Sequence, residues 1–138
     1  AGRVVAVEIS TRMIAAARRK VSDPRGAWHA AYAARLPLHD ASCDRVICCA
    51  VWPHFDDRAA VAAELGRVLH PEGRLHVWHL LPRGRVNEIH ASAGEAVRRD
   101  ALEPAGETAR ILERLGFSVT AAVDDERRYL VTAFKAAR

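Results

Sequence analysis

The 138 residues contain no run of about 18 apolar positions, which excludes a transmembrane helix. The opening Ala1-Gly2-Arg3-Val4-Val5 does not have the basic, then apolar, then small-residue layout of a signal peptide. Glycine and proline number only eight and six, too few for a low-complexity or disordered chain. No stretch gathers about five like charges, so the net charge of +4 does not form a nucleic-acid-binding arm. Cysteine is scarce: Cys43, Cys48 and Cys49 have no metal or redox spacing. Adjacent residues of a strand point to opposite faces, so Cys48 and Cys49 should not bridge. An odd thiol count within an apolar run predicts a reducing, cytoplasmic location.

What is present suffices for one core. Half of the residues are hydrophobic and the length fits a single domain. Val4-Val5-Ala6-Val7 reads as a short buried strand ending at Glu8. Ser10 offers a helix N-cap, with Met13, Ile14, Ala17 and Val21 at helical spacing and Arg18, Arg19 and Lys20 in the last turn. Asp23 to Gly26 is a turn, Ala27–Ala30 a short strand, and Leu36–Asp40 a loop. Val46–Val51 is the strongest buried-strand signal, followed by a helix that Asp56 or Asp57 can cap. Pro71-Glu72-Gly73 should stop that helix before a strand at Leu75–Trp78. A short helix around Val86 and Ile89 and another from Pro104 to Leu115, closed by Gly116 at C′, precede a final hairpin turning at Asp124–Arg127. The order β-α-β-β-α-β-α-α-β-β predicts an α/β, Rossmann-like three-layer sandwich with a mainly parallel sheet and a C-terminal antiparallel hairpin.

In such folds ligands bind where the strands end. This points to Glu8–Ser10, Ala50–Phe55 and His79–Arg85. Glu8 can accept both hydroxyls of a ribose, or merely favour the helix start. His54 follows the strongest strand in Trp52-Pro53-His54-Phe55 and is a candidate general base; otherwise it packs beside Phe55. His79, Arg83, Asn87 and His90 form a second constellation. With residues 83–91 helical, Arg83, Asn87 and His90 share one face, which His79 approaches from the preceding strand end. That face is either an anion-binding substrate site, with Arg83 on a carboxylate or phosphate, or a solvated surface. His54, His79 and His90 lack the H-E-x-x-H spacing, so no metal is assigned.

Several segments in order carry a resemblance. Glu8-Ile9-Ser10-x-x-Met13 follows an apolar strand, and Ala33-x-x-Leu36-Pro37-Leu38 and Ser42-x-Asp44-x-Val46 come next. Glu64-Leu65-x-Arg67-Val68-Leu69-x-Pro71-Glu72-Gly73 is similar to an E-x-x-R-V-L-x-P-G-G pattern, and Leu115-Gly116-Phe117 introduces the last hairpin. Together these resemble class I S-adenosylmethionine-dependent methyltransferases over nearly the whole chain. The resemblance implies an S-adenosyl-L-methionine cofactor, with Glu8 on its ribose, Ile9 against adenine and Ser10 holding the helix start. Tyr32 and Ala33 would pass the adenine edge, and Ala50 and Val51 would border the methionine portion. Tyr32 stands where family members carry an acid.

The family's first strand, glycine-rich loop and first helix lie ahead of the acid, and here only seven residues precede Glu8. That strand sits centrally, between the strands at Val4–Val7 and Val46–Ala50. Their facing edges would either collapse together, be filled by another chain in a homo-oligomer, or belong to an N-terminally incomplete domain spanning residues 1–138. The last is the expectation. The activity implied is methyl transfer to a small-molecule acceptor, with no nucleic-acid or membrane partner. The alternatives are a degenerate, non-catalytic Rossmann-like domain and a nicotinamide-dependent oxidoreductase.

Overall fold

The computed structural model describes residues 2–136. Its elements run β1 (Val4–Glu8), α1 (Thr11–Lys20), β2 (Gly26–Ala30), β3 (Cys43–Cys49), a single 3-10 turn (Trp52–His54), α2 (Arg58–Val68), β4 (Leu69–His79), α3 (Arg83–Ser92), α4 (Ala105–Arg114), β5 (Phe117–Asp124) and β6 (Tyr129–Lys135). This is the order expected from the hydrophobic periodicity.

The helix ends follow capping chemistry. Ser10 Oγ accepts the Met13 N–H at 3.3 Å, and Asp57, rather than Asp56, caps α2 by accepting the Ala60 N–H at 2.8 Å. Gly116, at φ +83°, follows α4 in the left-handed conformation that only glycine adopts freely.

The strands form two sheets. β1 pairs with β2 in parallel, while a second sheet has the order β3-β4-β6-β5. There β3 and β4 are parallel, and β6 is antiparallel to both β4 and β5. Among the described residues β1 and β3 each keep one unpaired edge, so the two edges have not collapsed onto each other.

Alternation decides what is buried. Cys48 of β3, Leu75 and Val77 of β4, and Tyr129, Val131 and Ala133 of β6 face the core, where Val61, Ala62 and Leu65 of α2 and Ala105, Ala109 and Leu112 of α4 meet them. Cys48 is buried and Cys49 exposed, and both are free thiols. On the other face Ile47 is 55% and Trp78 38% exposed, although the sequence reads as strands buried on both sides.

The Pro71-Glu72-Gly73 segment departs from expectation. α2 ends earlier, at Val68, and β4 begins at once, so the three residues lie inside the strand rather than before it. The register advances from Cys43 to Arg45 on β3 while β4 runs from Leu69 to Arg74, so the segment bulges out. Glu72 sits at φ +64°. A Cβ on Gly73 would come within 2.7 Å of the His70 carbonyl oxygen, leaving it no room. Glu72→Gly should therefore stabilise the protein by about 1 kcal/mol. Gly73→Ala should destabilise it by about 1–3 kcal/mol through overpacking. Urea unfolding of both variants checks the pair, and equal effects would contradict this division of roles.

Candidate functional site

The first predicted site forms where β1 gives way to α1. Glu8 Oε1 accepts the Ser10 N–H at 2.9 Å, while its main-chain oxygen accepts the Ala31 N–H at 3.1 Å. The carboxylate is thus fixed at the strand end, and among the described residues its second oxygen has no hydrogen-bond partner. The segments that follow Glu8 and Ala31 carry exposed apolar side chains: Ile9 is 58%, Met13 60% and Tyr32 69% exposed. An acid beside uncovered apolar surface suits a nucleoside, which offers hydroxyls on one part and a flat ring on another. Ala33 packs at the margin of the core, and Ala50 directly follows β3 at φ +52°, where a non-glycine backbone is strained. Val51 follows, half-buried. The residues present therefore fit S-adenosylmethionine in kind: a ribose acid, an apolar base platform and an exposed strand end.

The loop carrying Tyr32 and Ala33 is anchored by the Glu64-x-x-Arg67 pair of α2. Arg67 binds both carboxylate oxygens of Glu64 at 2.7 and 2.8 Å, and donates to Leu38 O at 2.9 Å and Asp40 at 2.6 Å. Glu64 in turn accepts the Leu36 N–H at 2.6 Å. The Arg67 hydrogen bonds hold the Glu64 carboxyl below the usual range. This is what the E-x-x-R spacing accomplishes: two side chains one helical turn apart form a planar fork that grips a neighbouring loop.

The two other predicted sites, His54 after β3 and the constellation of His79, Arg83, Asn87 and His90 after β4, meet in a histidine cluster. The His54 and His90 rings lie 4.9 Å apart. His54 Nδ1 is 2.7 Å from Asp100 Oδ2, and His90 Nδ1 is 2.5 Å from the Asp100 carbonyl oxygen. His79 behaves differently from its sequence-level role as a catalytic group. It is 2% exposed, lies edge-to-face with the Tyr129 ring at 5.6 Å between centroids, and among the described residues its Nε2 has no hydrogen-bond partner. Burial, aided by His54 and His90, pushes its pKa down to about 4, so it is neutral at pH 7 and a weak proton acceptor.

The Arg83, Asn87, His90 face forms as the helical spacing predicts, and all three members bind within the chain, His90 through the Asp100 carbonyl oxygen. Arg83 pairs with Asp124 at 2.7 Å. Asn87 donates to Leu102 O at 3.1 Å and accepts the Leu102 N–H at 2.8 Å, so both ends of its amide hold the segment before α4. Only His90 joins the candidate reaction centre.

Asp100 and Glu103 escape sequence reasoning. Glu103 Oε1 accepts from Trp52 Nε1 at 2.9 Å and from Thr108 Oγ1 at 3.0 Å, and Arg58 Nε lies 3.5 Å from its Oε2. Thr108 is also 2.7 Å from the Tyr129 hydroxyl, whose ionisation burial opposes. Both acids belong to an aperiodic stretch with no local signal. Among the described residues no three His, Cys, Asp or Glu side chains are arranged to hold a metal ion.

Comparison with known proteins bears on the class. Residues 1–77 match the methyltransferase domain family. Methyltransferase GfsG of Streptomyces halstedii is 30% identical over 96 residues, covering 67% of this chain and 34% of that protein. The fold matches a chain of the complex between the Haloferax volcanii Trm112 methyltransferase activator and a candidate methyltransferase, with TM-score 0.82 and 16% identity over 99% of this chain and 73% of that one. It also matches a SAM-dependent methyltransferase of Aquifex aeolicus, with TM-score 0.77 and 20% identity over 97% of this chain and 69% of that one. At such identities the structural likenesses speak for the α/β methyltransferase fold. With the family match extending over more than half of its length, the chain belongs to the S-adenosylmethionine-dependent methyltransferase domain family. It spans about a third of the length of GfsG. No helix among the described residues is long and apolar enough to cross a membrane.

Proposed function

We propose that residues 1–138 belong to a single domain that transfers a methyl group from S-adenosylmethionine to a small-molecule acceptor. The observation that carries this reading is Glu8: a fixed carboxylate with one oxygen unpartnered among the described residues, followed along the chain by exposed Ile9 and Met13 and joined through its main chain to Ala31, next to exposed Tyr32. Glu8 binds the ribose hydroxyls, Ile9 and Tyr32 flank the adenine, and Ser10 and Ala33 keep the neighbouring backbone in place. Ala50 and Val51 border the methionine portion. The cofactor, when bound, supplies a methyl group already activated on a sulfonium sulfur. The protein's part is to align an acceptor with it and exclude competing orientations. His54 and His90 face the acceptor, while Arg83 and Asn87 shape its surroundings from α3. A further strand, from elsewhere in the protein, completes the sheet by pairing with the free backbone edges of β1 and β3. The scattered charge supports a small acceptor over a nucleic acid.

Glu8→Ala in the full-length protein should weaken S-adenosylhomocysteine binding by about 1.5–3 kcal/mol, the range for hydrogen bonds to a charged group. Calorimetric titration measures this directly. An unchanged affinity would remove Glu8 from the ribose role.

A further inference from the structure

The histidine cluster has a feature that methyl transfer in general does not require. Asp100 receives two imidazoles at once, His54 on its carboxylate and His90 on its main-chain carbonyl. A carboxylate and a carbonyl only accept hydrogen bonds. Both rings must therefore carry hydrogen on Nδ1, which leaves each neutral imidazole with its lone pair on Nε2. One residue thus fixes the tautomer of two histidines whose rings are 4.9 Å apart. The His54 side chain stays one-third exposed, open to a substrate, whereas His79 behind it is buried.

We propose that His54, oriented by Asp100, accepts the proton of a hydroxyl group, so that the methyl acceptor is an alcohol or a phenol. The inference rests on the methyltransferase reading and deepens it. His54 Nε2 takes the hydroxyl proton, and the oxygen's electron pair forms the new O–CH3 bond. The S–CH3 bond breaks with its pair left on sulfur, giving S-adenosylhomocysteine, and His54 later returns the proton to water. A thiol ionises readily near neutral pH and a weakly basic amine, such as an aromatic one, already offers a lone pair, so neither needs a fixed base before attack. A carbon acid would need a donor to hold the enolate oxygen. The nearby cation, Arg58, donates instead to Pro53 O and Ala101 O, both at 3.2 Å, and faces Glu103. A hydroxyl is the acceptor whose single requirement, loss of a proton, this geometry meets.

The other titratable groups facing this centre are His90, His79, Arg58 and Glu103, with Asp100 in direct contact. Asp100 is a positioning residue, acting through His54. The first test is long-range ¹H–¹⁵N NMR of the histidines in the full-length protein near neutral pH. His54 should show a protonated Nδ1 and a bare Nε2. Asp100→Ala should release that preference, and Asp100→Glu should restore it. A protonated Nε2 with a bare Nδ1 in the wild type would overturn the assignment.

The second test follows methyl transfer from S-adenosylmethionine to 4-chlorophenol and 4-chlorothiophenol as paired probes. Transfer to the phenol is expected, with His54→Gln lowering it about 100-fold or more and removing the acid limb of the pH profile. Asp100→Ala should lower it about tenfold. Transfer to the thiol alone, to neither probe, or to the phenol independently of His54 would overturn the proposal. Calorimetry with S-adenosylhomocysteine separates the two levels. Absence of binding would defeat the methyltransferase reading itself, whereas binding alongside any of those results defeats only the acceptor assignment.

Discussion

Replacing Trp52 by alanine is expected to lower the unfolding free energy by about 3–5 kcal/mol, the range for deleting a large buried aromatic. Trp52 is fully buried although it sits in a single 3-10 turn. Its ring meets Phe55 edge-on at 5.8 Å, and its indole N–H supplies one of the hydrogen bonds to Glu103 Oε1. Alanine would leave both a cavity and a half-buried carboxylate with one donor fewer. Trp52→Phe separates the two contributions: it keeps most of the volume, and should cost about 1–3 kcal/mol for the lost donor. Denaturant titration of both variants in the full-length protein checks the order. The consequence reaches the site, because the same turn carries His54, so Trp52→Ala should also loosen the His54–Asp100 contact. A loss below about 1 kcal/mol for Trp52→Ala would contradict the packing described here.

Stability should fall as the pH drops from about 6.5 towards 4, and His79 should account for roughly 2–3 kcal/mol of that loss. The sign follows from proton uptake. In the unfolded chain His79 protonates at its ordinary value of about 6.5, while the folded protein resists protonation until about 4. Between these values the unfolded state binds more protons, so acid favours unfolding, and the contribution is fully present above the unfolded value. The cause is burial first, then the nearby His54 and His90. His79→Phe should flatten this part of the pH–stability curve. It should also be neutral or stabilising at pH 7, because Nε2 of His79 has no partner among the described residues to lose and a phenyl ring can meet Tyr129 in the same edge-on way. Thermal unfolding between pH 4 and 8 measures both effects. An unchanged slope in His79→Phe would place the acid sensitivity elsewhere.

Much of the fold is legible in the sequence because the periodicities are local. The apolar run ending at Glu8, the Ser10 cap and the Gly116 C′ position each depend on residues within one turn, and the structure places each of them there. The helical face of Arg83, Asn87 and His90 is equally local and forms as expected. Its partners are not local: Asp124 and Leu102 arrive from 41 and 15 residues away and engage Arg83 and Asn87. Spacing shows which side chains share a face, not what that face meets. The same limit hides Asp100, which lies 46 residues from His54 in a stretch without hydrophobic pattern. The burial of His79 depends on its pairing with Tyr129 of β6, 50 residues further along the chain, so its position at a strand end alone reads as an accessible group. The Pro71–Gly73 bulge is not legible in the sequence because a helix stop and an irregular strand start draw on the same turn residues.

A structure of the full-length protein with S-adenosylhomocysteine bound tests the central claim most directly. The account requires the ribose hydroxyls within hydrogen-bond distance of the Glu8 carboxylate, the adenine between Ile9 and Tyr32, and the sulfur towards Ala50. A ligand seated away from the end of β1, with Glu8 still facing water, would contradict it.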